Sequence, residues 1–137
     1  PEVSALMGLR QLEKLEEFIE QRQKIARNYT KILENNDKIS IVNPPSLEDH
    51  NFFKYIVILK EHDRQHVHNS MEEKGISPSG YVYEIPLHKQ PVLKEHNKIE
   101  LPKTEHLCAN HFCLPIYFSL ADGEVRSIAT IFSKLLL

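Results

Sequence analysis

His106, Cys108, His111 and Cys113 fall within eight residues, and their nitrogen and sulfur donors are of the types that hold zinc. The surrounding stretch reads as helix, and His106 and Cys108 on a helix point about 200° apart, so four donors on one continuous helix cannot converge on an ion. The expectation is therefore no metal, with Cys108 a small core hydrophobe and His106 or His111 at the helix surface. His62 and His66 have the i, i+4 spacing of a metal pair, yet His62 precedes the residue expected to cap the helix and no third donor is fixed nearby. Both are expected at the surface. A nucleophile pair drawn from Cys113 and His88 lacks any G-x-S-x-G elbow, and the four glycines form no G-x-G-x-x-G or G-K-[ST] phosphate cradle. The chain by itself shows no complete catalytic set.

His88 stands apart from these. It follows Pro86 in an otherwise apolar Ile-Pro-Leu-His turn flanked by Tyr81, Tyr83 and Gln90. An imidazole, two phenols and an amide on one loop suit a hydroxyl-rich or nucleotide ligand, which they can hydrogen-bond while the aromatic faces stack on it. The alternative is that His88 satisfies a backbone carbonyl within its own loop, the commoner fate of a buried polar group.

The elements that must position this loop follow from periodicity and punctuation. Leu12, Leu15, Ile19, Ala26, Tyr29 and Leu33, widened by Phe18, Ile25 and Ile32, predict one long amphipathic helix from Ser4 to about Asn35. Ile39 to Val42, stopped by Pro44-Pro45, suits an edge strand. Phe52 to Leu59, polar only at Lys54, has the composition of a central strand buried on both faces. Asp63 is placed to cap a helix to Lys74, with Gly75 as its left-handed stop. A third strand is expected over Gly80 to Ile85, then an irregular loop from Pro86 to Leu101, of a length that tends to be functional. Pro102 opens a helix ending near Cys113, and Asp122 or Ser119 caps a last helix with an apolar face of Val125, Ile128, Ile131, Phe132 and Leu135. The fold class expected is α+β in two layers, a small, mainly antiparallel sheet covered by helices, with the long helix at the N-terminus.

With 137 residues the chain fits one domain with a single core. It begins at Pro1 and enters a helical pattern almost at once, which is read as a piece of a longer protein. Lys and Arg number 17 against 19 Asp and Glu, with no basic run interleaved with aromatics, so nucleic acid is not an expected partner. No apolar run approaches a bilayer span and no signal pattern opens the chain, so neither a membrane nor export is expected. Cys108 and Cys113, five apart on a presumed helix, cannot reach disulfide geometry and are expected as free thiols in the cytoplasm.

Three segments carry a family likeness: Gly75 to Pro91 (GISPSGYVYEIPLHKQP), Leu107 to Leu120 (LCANHFCLPIYFSL) and Met7 to Ile19 (MGLRQLEKLEEFI). Together they resemble the C-terminal small domain of the DegT/DnrJ/EryC1/StrS family of pyridoxal-phosphate sugar aminotransferases, proteins of the fold-type I group. The resemblance covers nearly the whole chain. It implies transfer of an amino group, commonly from glutamate, to a nucleotide-linked keto-sugar by a cytoplasmic homodimer. It also implies substrate-side roles for Tyr83 and His88, near the nucleotide-sugar entrance. The family's cofactor-binding lysine, the aspartate facing the pyridine nitrogen and the phosphate-binding residues belong to the large domain, so no catalytic or cofactor-binding residue is expected here. Ser79-Gly80-Tyr81-Val82 departs from the histidine-rich or threonine-glycine-histidine approach of many relatives, and Ala121 stands where a capping threonine is common. Two other readings remain: a sugar dehydratase, as in relatives with histidine in place of the lysine, or a stand-alone binding, dimerisation or regulatory module.

Overall fold

The structure is a computed structural model that describes residues 1–137. Its elements in chain order are α1 (Glu2–Leu12), α2 (Leu15–Leu33), β1 (Ile39–Ile41), β2 (Tyr55–Leu59), α3 (Arg64–Glu73), α4 (Pro102–Asn110), β3 (His111–Leu114) and α5 (Asp122–Leu135), with 3₁₀ turns at Leu87–Lys89 and Pro91–His96. The sheet is antiparallel in the order β1-β2-β3. Pairing of Tyr55 with Leu114 and of Val57 with Phe112 puts these four side chains on one face. That face meets α2, α3 and α5 in a core that includes Ile25, Tyr29, Leu33, Val67, Met71, Val125 and Phe132. The α+β class, with a small antiparallel sheet under helices, is as the sequence implied.

Local signals are met closely where they are self-contained. The Asp63 carboxylate accepts the His66 N–H at 2.7 Å, capping α3. At its other end Gly75, with φ of +75°, gives its N–H to Glu72 while Ile76 gives its own to Met71, the paired bonds of a Schellman stop. Pro102 takes the first position of α4, and β1 is an edge strand as expected.

Longer elements depart from expectation. The single helix from Ser4 to Asn35 is two helices, broken at Glu13 and Lys14, where the Lys14 N–H reaches only to Gln11. No residue of α1 is buried, so nothing in the core holds it in line with α2, and Val3, Leu6, Met7, Leu9 and Leu12 stay 58 to 71% exposed. The central strand starts at Tyr55 rather than Phe52, whose φ of +44° is incompatible with an extended ladder. It is fully buried on one face only; Ile56 and Ile58 on the other are half-buried. Gly80 to Ile85 is not a strand, and the third strand is His111–Leu114, where a helix was expected to run on to Cys113. The reason is the partner: all four residues of β3 are buried by pairing with β2, a long-range gain that outweighs the local helical pattern. Neither Asp122 nor Ser119 caps α5. Ala121 holds the cap position, and its N–H is taken at 2.8 Å by the Glu124 carboxylate three residues on. No helix is long and apolar enough to cross a membrane.

An element without buried residues contributes little to global stability. Removing residues 1–13 should shift the unfolding free energy of the rest by less than about 1 kcal/mol, within the range of ordinary surface changes. Matched denaturant titrations of the two chains check this, and a loss of several kcal/mol would show that α1 packs on the core after all.

Candidate functional site

The outer face of the sheet carries the candidate site. The register that buries Val57 and Phe112 turns Ile56, Ile58 and His111 the other way. With Val42, Val82, Tyr83, Leu107 and Cys108 they line an apolar groove of about 220 Å³. α4 forms one wall and the segment 79–85 forms the other.

That segment is tethered without being a strand. The Ser79 N–H donates to the Cys113 carbonyl at 3.0 Å, and the Lys54 ammonium donates to the Ser79 carbonyl. Arg64 reaches from α3, lays its guanidinium 3.8 Å from the centroid of the Tyr81 ring and donates to the Cys108 carbonyl in the last turn of α4. A cation there also complements the negative end of the helix. Val82 gives its N–H to Nε2 of His111 at 2.9 Å. Beyond these anchors the chain turns outward, leaving Tyr83 68% exposed.

His88 lies elsewhere in the loop and faces inward. The expected exposed imidazole is not what the structure shows: the residue is 7% exposed, and its Nε2–H donates to Oε1 of Glu105 at 2.9 Å. The same carboxylate oxygen accepts the Leu101 N–H at 3.1 Å and lies 3.8 Å from the Lys89 ammonium. Lys89 itself donates to the carbonyls of Asn97 and Ile99, and Gln90 donates to that of Ile85. The loop from Pro86 to Leu101 is thus closed on α4 through one acid. The hydrogen bond from His88, then that from Leu101, hold the Glu105 carboxyl below the usual carboxylate range.

The four donors of the zinc-like cluster part company. His106 pairs with Asn110 on α4, Cys108 lines the groove, and His111 and Cys113 lie on β3. No three His, Cys, Asp or Glu side chains are placed to hold a metal ion. Both cysteines are free, and burial pushes the Cys113 thiol up. Of the two histidines expected at the helix surface, His106 is exposed, whereas His111 is 6% exposed with both ring nitrogens engaged. His66 is exposed and His62 half-buried, and the two are not joined in a site. Sequence reasoning missed Glu105, His111, Arg64 and Lys54 as organisers of the site. Their partners lie 17, 29, 44 and 25 residues away, and no local spacing signals such contacts.

Comparison with known proteins agrees with this architecture. The model of the DegT/DnrJ/EryC1/StrS aminotransferase family matches residues 1–133. A dTDP-4-dehydro-2,3,6-trideoxy-D-glucose 4-aminotransferase of Saccharopolyspora spinosa is 38% identical over 136 residues, 97% of this chain and 34% of that protein. A pleiotropic regulatory protein of Geobacillus stearothermophilus is 30% identical over 118 residues, 83% of this chain and 31% of that protein. Among solved structures, the aminotransferase TlmJ from Streptoalloteichus hindustanus superposes with a TM-score of 0.83 at 25% identity, over 96% of this chain and 35% of that one. The chain spans about a third of the length of the curated relatives it matches.

Proposed function

Because the chain belongs to the DegT/DnrJ/EryC1/StrS aminotransferase family, we propose that it forms the C-terminal small domain of a pyridoxal-phosphate-dependent enzyme transferring an amino group, from glutamate, to a nucleotide-linked keto-sugar. The observation that carries this reading is the family match across residues 1–133, together with 38% identity to a protein named as a dTDP-sugar aminotransferase. The two free thiols suit a cytoplasmic protein, and the uncovered apolar face of α1 suits contact with the rest of a longer chain within a homodimer.

The residues of this chain do not by themselves fit the cofactor. A lysine that forms a Schiff base needs a free amine in a sheltered pocket, with an anion cradle nearby for the phosphate. Only Lys38, Lys54 and Lys89 are half-buried, and their amines are engaged by Glu61, the Ser79 carbonyl, and the Asn97 and Ile99 carbonyls. No glycine-rich turn offers the cradle. Bond-making in this proposal belongs to the large domain. The present domain supplies a wall at the substrate entrance: Tyr83 presents its ring and hydroxyl to the sugar nucleotide, and His88 serves from within by fixing the loop beneath it.

The test is Tyr83→Ala in the full-length enzyme. Loss of a stacking ring and a hydroxyl should lower kcat/KM for the sugar nucleotide roughly ten- to a hundredfold, with the melting temperature unchanged because the side chain is exposed. Tyr83→Phe separates the ring from the hydroxyl. Unaltered kinetics in both variants would remove Tyr83 from the substrate surface.

A further inference from the structure

The segment that carries Tyr83 runs beside β3 but does not form a ladder with it. Its single backbone bond to that strand is from Ser79 to Cys113. Three residues on, the Val82 N–H meets the ring of His111 rather than a carbonyl. A backbone N–H can only donate, so Nε2 of His111 carries no proton, and the neutral ring must carry its proton on Nδ1. That proton points at the Leu107 carbonyl, 2.9 Å away, which is one of the end carbonyls of α4. Both nitrogens are therefore committed, and one tautomer alone satisfies both partners. His88 uses its ring the other way round, donating from Nε2 to a carboxylate.

We propose that His111 is a positioning residue for Tyr83: its neutral imidazole, fixed as the Nδ1–H tautomer, is the acceptor that replaces a missing strand carbonyl and sets where the neighbouring aromatic stands. His111 is 6% exposed, whereas Val82 and Tyr83 are 44% and 68% exposed, so a buried anchor holds an exposed segment. The surrounding groups support the same arrangement. Tyr81 meets His111 edge-on with ring centroids 5.7 Å apart, Arg64 covers Tyr81 from α3, and Lys54, just before β2, holds Ser79. These fix the segment upstream of Val82. His111 is its last tether before Tyr83. An aliphatic residue at 111 would fill the space but remove the nitrogen acceptor, leaving the Val82 N–H to the neighbouring Cys113 sulfur and to solvent.

The consequence for turnover rests on the substrate role of Tyr83, and the tether itself does not. In the 137-residue chain, long-range proton–nitrogen NMR correlations should show Nε2 of His111 unprotonated and Nδ1 protonated; a proton on Nε2 would overturn the proposal without any variant. His111→Gln keeps an acceptor near the Nε2 position, and His111→Leu does not. The Val82 and Tyr83 amide resonances should move in His111→Leu and stay close to their original positions in His111→Gln. In the full-length enzyme His111→Leu should raise KM for the sugar nucleotide about tenfold with kcat within about twofold, and His111→Gln should restore KM to within about threefold. Equal damage from both variants, with equal loss of thermal stability, would reduce His111 to a packing residue and overturn the proposal. If His111→Leu moves the amides but neither it nor Tyr83→Ala alters KM, the substrate role of Tyr83 fails, and the catalytic consequence of the tether fails with it.

Discussion

Phe112→Ala should lower the unfolding free energy by about 3 to 5 kcal/mol, the usual cost of removing a buried phenylalanine from a core. Phe112 is fully buried on β3, opposite Val57 in the ladder, and its ring stacks on that of Phe132 in α5 at 5.5 Å between centroids. The substitution leaves a void between the sheet and the helix layer, because β2 on one side and α5 on the other are each held by further contacts and cannot collapse into it. Urea titration with an unchanged slope measures the loss. A cost below about 1 kcal/mol would take residue 112 out of the core, and the strand assignment would fail with it.

His88→Ala should lower the melting temperature by several degrees, because it empties a nearly buried site and leaves Glu105 without its main partner. The sign of the pH dependence follows from the carboxylate. Its proton affinity is lowered in the folded state, so the bond stabilises fully above the ordinary carboxylate range and is lost as pH falls below that range. The gap in melting temperature between wild type and His88→Ala should therefore be widest near neutrality and narrow in acid. Glu105→Gln should produce a similar loss, and the double variant should lose less than the sum, because the two residues share one bond. In the full-length enzyme a raised KM should accompany the lower melting point, since the same staple closes the loop beside the proposed substrate surface. Impaired kinetics with an unchanged melting temperature would instead put the imidazole in contact with substrate.

The expected third strand shows how a sound composition can mislead. Gly80 to Ile85 is aromatic and β-branched enough to be extended, yet Gly80 has φ of +67°, and the segment's N–H at Val82 is taken by a side chain. His111 to Cys113 was expected as the end of the helix that Pro102 opens, with Pro115 just beyond it. In the structure Asn110 closes that helix by donating to the His106 carbonyl at 2.8 Å, and the chain then extends onto β2. Tyr83 and His88 could be singled out as candidates from residue type and the family likeness; that Tyr83 stands exposed while His88 turns inward to Glu105 could not be read from the residues alone.

The residues by themselves determined what nearest neighbours along the chain can enforce: the Asp63 cap and Gly75 stop around α3, the Pro102 start of α4, the apolar stripes of α2 and α5, and the family likeness in Gly75 to Pro91. Each rests on bonds or periodicities spanning a few residues, so the sequence contains both partners side by side. The tertiary structure alone decided that β3 is His111–Leu114, that the helix breaks at Glu13 and Lys14 with no residue of α1 buried, that His88 turns inward to Glu105 and that His111 anchors Val82. Those outcomes depend on which distant surface a segment meets. A strand is stabilised by a partner far along the chain, an isolated helix end by nothing it carries itself, and an imidazole serves as donor or acceptor according to the group that the fold brings to it.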